Sequence, residues 1–220
     1  MEFEPQVVHW FGLELDLKMV IMTWIVMAII ILIAWMARRD ISWIPKGWQN
    51  VMEYLLEFIQ GVIKGGIGEK GLKYTYFFSS LFLFIIISNM LGLVPGLSSP
   101  TKDINITAAL AVTWTIWLQI VSIQAVGFKN YVKHYFQPFA PFVVIHLLDL
   151  VTRPLSLAIR LYANIVAGEI LLEVLTKNFP ILVPDLWMVL SIFIGCIQAY
   201  LFTILTVSYT ALSVSHEDNH

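Results

Sequence analysis

Charge is what this chain has least of. Asp, Glu, Lys and Arg make up 13% of its 220 residues, the net charge is −2 and no basic tract occurs, so nucleic acid is excluded as a partner. The single cysteine, Cys196, rules out an intrachain disulfide and stands in an apolar segment where it serves as packing. There is no Gly-x-x-x-x-Gly-Lys-Ser/Thr loop to cradle phosphates, so the chain does not bind ATP in that way. No connection is long enough to hold a soluble core. No repeated half with broken helices appears, which weighs against a transporter built from repeats. Acidic residues (Glu2, Glu4, Glu14, Asp16) precede the first apolar run, with neither a basic start nor a small-residue cleavage site, so that run reads as a retained anchor. Neither a cofactor nor a metal is expected.

What the chain has is hydrophobic length. It is 59% hydrophobic with a mean hydropathy of +0.80, and several apolar runs approach the ~20 residues that cross a bilayer. The expected fold class is an all-α polytopic membrane protein, five transmembrane helices plus one membrane-surface amphipathic helix, forming one membrane domain over residues 1–220. After a polar, partly aromatic lead-in, the first span is expected over 18–37 and is stopped by Arg38-Arg39-Asp40. Residues 45–66 place Trp48, Val51, Met52, Leu55, Leu56, Phe58, Ile59, Val62 and Ile63 at helical spacing with polar residues between, and Pro45 marks the expected start of this surface helix. A glycine-rich link leads to a hairpin of spans over 74–94 and 106–128, broken at Pro95-Gly96. The basic, aromatic connector KNYVKHYFQPFAP then opens a second hairpin, over 139–175 and 186–214. At ~1.5 Å per residue these last two helices exceed a ~30 Å hydrocarbon layer and must tilt.

Basic residues set the orientation. With the N-terminus outside, the inner connections hold Arg38, Arg39, Lys46, Lys64, Lys70, Lys73, Lys129 and Lys133 against Lys18, Lys102 and Lys177 outside, which leaves the C-terminus cytoplasmic.

One stretch breaks the apolar pattern: RPLSLAIRLYANIVAGEILL, residues 153–172. A guanidinium cannot shed its charge, and at a bilayer centre it costs from roughly 3 to more than 10 kcal/mol, so Arg160 inside such a run reads as functional. Ser156 and Asn164 lie one helical turn either side of it, with Asp149 and His146 within about 40° of the same line. Glu169 is turned about 180° away and lies ~13 Å along the axis. In the last span Gln198 is positioned to hydrogen-bond near Arg160, and Ser191 lies about two turns towards the outer end. Two functional classes fit these residues: a subunit that passes ions only together with a partner, and an autonomous ion-coupled transporter or channel.

The same stretch closely resembles the signature of subunit a of rotary F-type ATP synthases, and NMLGLVPG (residues 89–96), DINITAALAV (103–112) and QAYLF (198–202) agree with it in the family's order. The resemblance covers the chain from about residue 72 onward. It implies a stator beside a rotating ring of c subunits, with peripheral-stalk b subunits and the remaining synthase subunits as partners, in the plasma membrane of a bacterium. It implies two offset half-channels carrying H⁺ or Na⁺ to and from the ring carboxylates. The family's essential arginine falls on Arg160, Asn164 and Gln198 on positions near it, Glu169 on the outer half-channel and Ser156 on a small polar position in the same groove. The family's glutamate fourteen residues before the arginine is His146 here; with Asp149 it is expected to supply polarity to the inner half-channel. A histidine that some members carry in the last span is Ser191.

Overall fold

The computed structural model describes residues 7–10, 13–39, 43, 45–94, 97–127, 142–179 and 183–215. The protein is an all-α polytopic membrane protein. Five of its helical segments are long and apolar enough to cross a membrane: Leu17–Arg39, Glu69–Leu91, Ile104–Gln124, Leu148–Asn178 and Val183–Leu212. The lead-in adds a small exception, an antiparallel pair of four-residue strands, β1 (Val7–Trp10) and β2 (Leu13–Asp16), which sequence periodicity did not suggest.

Helix α1 (Leu17–Arg39) ends on two arginines, which complement the negative end of the helix dipole. Helix α2 (Trp48–Gly66) begins three residues beyond Pro45, where its start was expected. The reason is Gly47, whose φ of 58° lies in the left-handed region and cannot continue a right-handed helix from the proline. Ile59 and Ile63 of α2 are fully buried, while Trp48, Val51, Tyr54 and Phe58 remain exposed. This suits a helix lying on a membrane surface and keyed to the bundle by one edge.

A 3₁₀ turn (Glu69–Tyr74) leads into α3 (Thr75–Leu91), and a second one (Pro100–Lys102) leads into α4 (Ile104–Val126). Asp103 caps α4, its side chain accepting a 2.8 Å hydrogen bond from the Asn105 amide. The connector of residues 129–141 and the Pro95-Gly96 break lie outside the described residues. Helix α5 (Phe142–Asn178) has 37 residues and α6 (Val183–Ser215) has 33, so they run about 55 and 50 Å at ~1.5 Å per residue. Pro154 stands inside α5 and deprives it of one backbone hydrogen bond, a loss that membrane helices absorb through their neighbours.

Helix α4 packs on α5, α3 on α6, and α5 on α6, with α2 against α3 and α6. Their shared core is built by Ile59, Phe78, Phe82, Ile85, Trp114, Leu157, Leu161, Phe202 and Val207. The approach of α2 to α6 is tight: a Cβ on Gly66 would lie 2.6 Å from Val207 Cγ1.

Candidate ion-translocation site

Helix α5 presents two unlike faces because its sequence alternates at helical spacing. Leu157, Ala158 and Leu161 are buried against the bundle, while Leu155, Ser156, Ile159, Arg160, Ala163 and Ala167 are exposed. Arg160 therefore projects from the bundle, at about the middle of the membrane-length part of the helix. Among the described residues it makes no ion pair. The two carboxylates nearest to it in sequence are engaged elsewhere: Asp149 accepts a 2.9 Å hydrogen bond from Arg153, and Glu169 pairs with Lys102. Arg153 also lies over the Tyr209 ring, 5.1 Å from its centroid, which ties this end of α5 to α6.

A cleft of about 170 Å³ opens between α3, α5 and α6. Asn164, Glu169 and Ser191 line it together with Asn89, Ser99 and Trp187. Here the structure brings Asn164, expected beside Arg160, together with Glu169 and Ser191, expected towards the outer end. Two further groups were not foreseen. Asn89 donates to the Gly195 carbonyl at 3.1 Å and accepts from Thr101 at 3.3 Å, which joins α3, α6 and the 3₁₀ turn. Trp187 donates to the Gly168 carbonyl at 3.1 Å and so clamps α6 to α5 at the cleft wall.

Ser156 shares the exposed face of Arg160 and lies outside the cleft. Gln198 departs from expectation. It is buried on α6, and among the described residues its side-chain amide nitrogen has no hydrogen-bond partner and no bond joins it to Arg160, because the arginine points off the bundle whereas Gln198 points into it. The backbone of His146 is part of α5; its side chain lies outside the described residues. Lys102, the partner of Glu169, drew notice in the sequence only as an outer cation. The sole available signal was a cation in the connection at the same end of the bundle as an intramembrane carboxylate.

The ATP synthase A chain family matches residues 20–211, nearly the whole bundle and every residue of the cleft. The chain belongs to this family. It is similar to ATP synthase subunit a of Desulforamulus reducens, at 38% identity over 96% of this chain and 85% of the relative. It is likewise 38% identical to subunit a of Moorella thermoacetica, over 87% of this chain and 88% of the relative. Subunit a of Staphylococcus aureus is 34% identical over 99% of this chain and 100% of the relative. With bacterial relatives and five membrane-length apolar helices, this member of the ATP synthase A chain family is a multi-pass protein of a bacterial membrane.

Proposed function

We propose that this chain is the stator ion-channel subunit of an F-type ATP synthase. It passes H⁺ or Na⁺ through two offset half-channels to and from the carboxylates of a rotating c ring, and so couples the ion gradient to ATP synthesis elsewhere in the complex. The observation that carries the reading is Arg160, exposed at mid-helix without a counter-ion among the described residues, one turn along α5 from a cleft that begins at Asn164 and about 13 Å from the Glu169 that lines it. A fixed cation in low dielectric attracts an approaching carboxylate in its ionised form and repels a transiting cation. Arg160 thus serves as the barrier between the two half-channels as well as the charge that the ring meets. Ser156, Ala163 and Ala167 beside it are small enough to let a neighbouring helix approach closely.

The cleft with Asn164, Glu169 and Ser191 is the half-channel on one side. Asp149 and His146, about 16 and 21 Å from Arg160 in the opposite direction, belong to the other. Gln198 supplies a buried polar group near mid-depth. The excess of basic residues in the alternate connections sets the N-terminus outside and the C-terminus in the cytoplasm, which makes the Glu169 cleft the outer one. The partners are the c ring, the peripheral-stalk b subunits and the nucleotide-binding subunits. The chain itself binds no nucleotide.

Isolation from the native membrane in mild detergent tests this. The chain should arrive with a c-type ring and nucleotide-binding subunits. Isolation alone, with ion transport intact in liposomes, would establish an autonomous transporter instead.

A further inference from the structure

The ion pair between Lys102 and Glu169 joins the 3₁₀ turn before α4 to a membrane-length stretch of α5, and no part of the proposed mechanism uses it. The turn that carries Lys102 is held from both sides. Ser99 and Thr101 are fully buried; Ser99 donates to the Ser88 carbonyl at 2.9 Å, and the two hydroxyls are 2.6 Å apart. The Lys102 amide donates to the Ser99 carbonyl at 3.1 Å. Asp103, next in sequence, is committed to capping α4. The lysine is therefore a flexible side chain on a rigid base, with its reach directed to Glu169.

Its charged surroundings are few. On α5, Glu173 lies one turn beyond Glu169, pairs with Lys177 at 2.7 Å and also feels the Lys102 charge. Helix α6 contributes Ser191 and Trp187 to the cleft, both uncharged, and has Asp185 exposed in its first turn. Arg160 is about 13 Å away along α5. Within the cleft, Glu169 is the carboxylate, and Lys102 is the cation that engages it.

The side chains of the pair are 44% (Lys102) and 26% (Glu169) exposed. Pairs of this kind contribute little net stability, because water and salt compete for both groups. That weakness fits a contact that opens and closes and does not fit a permanent lock. We propose that Lys102 is a positioning residue of the cleft: its tethered ammonium occupies the Glu169 carboxylate until a transiting ion displaces it, and so sets the ion concentration at which the cleft fills. This rests on the reading of Glu169 as part of the ion path. When a proton arrives, the carboxylate becomes neutral and the ammonium, still charged, turns to water. When the proton moves on, the pair re-forms. A sodium ion competes in the same way without a proton changing hands. A lysine in this role discriminates by competition, not by the size of a pore.

The test uses the assembled synthase in proteoliposomes with the nucleotide-binding sector outward. ATP synthesis is followed against the coupling-ion concentration in the lumen, while a K⁺ diffusion potential keeps the total driving force constant. Lys102→Gln should lower the apparent KM for the lumenal ion about two- to fivefold, and should alter the maximal rate less. Lys102→Arg should restore the parent value. In a Glu169→Gln background the effect of Lys102→Gln should vanish. A Lys102→Cys variant that also carries Cys196→Ser, modified after assembly with an aminoethyl thiosulfonate, regains the charge in the finished complex and should reverse the change. An unchanged KM in Lys102→Gln, with a shifted KM in Glu169→Gln, would overturn the inference and leave the ion path standing. A fall in maximal rate alone would show a structural role and overturn it too. No response to Glu169→Gln would remove Glu169 from the path, and the inference with it.

Discussion

The side-chain amide of Asn89 on α3 donates to the carbonyl of Gly195 on α6, 106 residues later in the chain. This bond depends on a close helix contact, since a Cβ on Gly195 would lie 3.2 Å from the Asn89 Cβ. Asn89 is buried and also accepts from Thr101, so Asn89→Leu removes both of these bonds and places apolar bulk where α6 approaches. The expected loss is about 1–3 kcal/mol. It should appear as a lower thermal midpoint of the detergent-solubilised subunit, and a midpoint unchanged from the parent would show that the bond is not a structural tie.

Arg160 gives the sharpest functional expectation. Because its side chain is exposed and carries no packing load, Arg160→Ala should leave the complex assembled while abolishing ion-coupled ATP synthesis. Arg160→Lys keeps a charge but loses the planar, always-ionised fork, and should fail as well. Synthesis near the parent rate in an assembled Arg160→Ala complex would end the stator assignment.

For Glu169 the expectation is graded. Glu169→Leu removes the carboxylate and should slow transport by roughly tenfold or more, whereas Glu169→Asp keeps it and should cost only a few-fold, since Asn164 and Ser191 line the same cleft. Equal effects of the two substitutions, measured as ATP-driven pumping, would mean that the site needs volume and not charge.

Access distinguishes the two proposed half-channels from a single pore. Cysteines introduced one at a time at Glu169 and Ser191, in a Cys196→Ser background, should react with a membrane-impermeant thiol reagent added outside. Those at His146 and Asp149 should react only when it is added inside. Labelling of all four from one face would indicate a continuous pore and contradict the barrier role of Arg160.

Packing can be tested where α2 meets α6. Gly66→Ala forces a Cβ against Val207 and should destabilise by about 1–3 kcal/mol. Adding Val207→Ala removes the obstructing methyl, so the double variant should recover part of the loss seen as reduced thermal stability. Additive losses would mean that the two residues do not meet.

The class of fold was legible because a bilayer imposes length: runs such as 18–37 have few ways to be satisfied other than as spanning helices. Arg160 was legible for the opposite reason, as a charge in a place where charge is costly. Relationships between elements were not. Nothing local to Lys102 announces Glu169, because their meeting depends on how the α3–α4 connection folds over α5. Gln198 was expected beside the arginine from its depth and from the family resemblance, but neither gives the azimuth of the side chain, which turns into the core. The start of α2 was placed at Pro45 because proline favours a first helical turn, whereas the positive φ of Gly47 postpones the helix to Trp48.

The outward aim of Arg160 also bears on how the protein is made. A freshly inserted copy carries a permanent cation on the flank of a membrane helix, where lipid must thin, or water must follow, to solvate it at a cost of roughly 3 kcal/mol or more. In the proposed complex, a ring surface bearing carboxylates would relieve that burden. A copy without its partner keeps that cost, so partner contact should stabilise the chain in the membrane by relieving it.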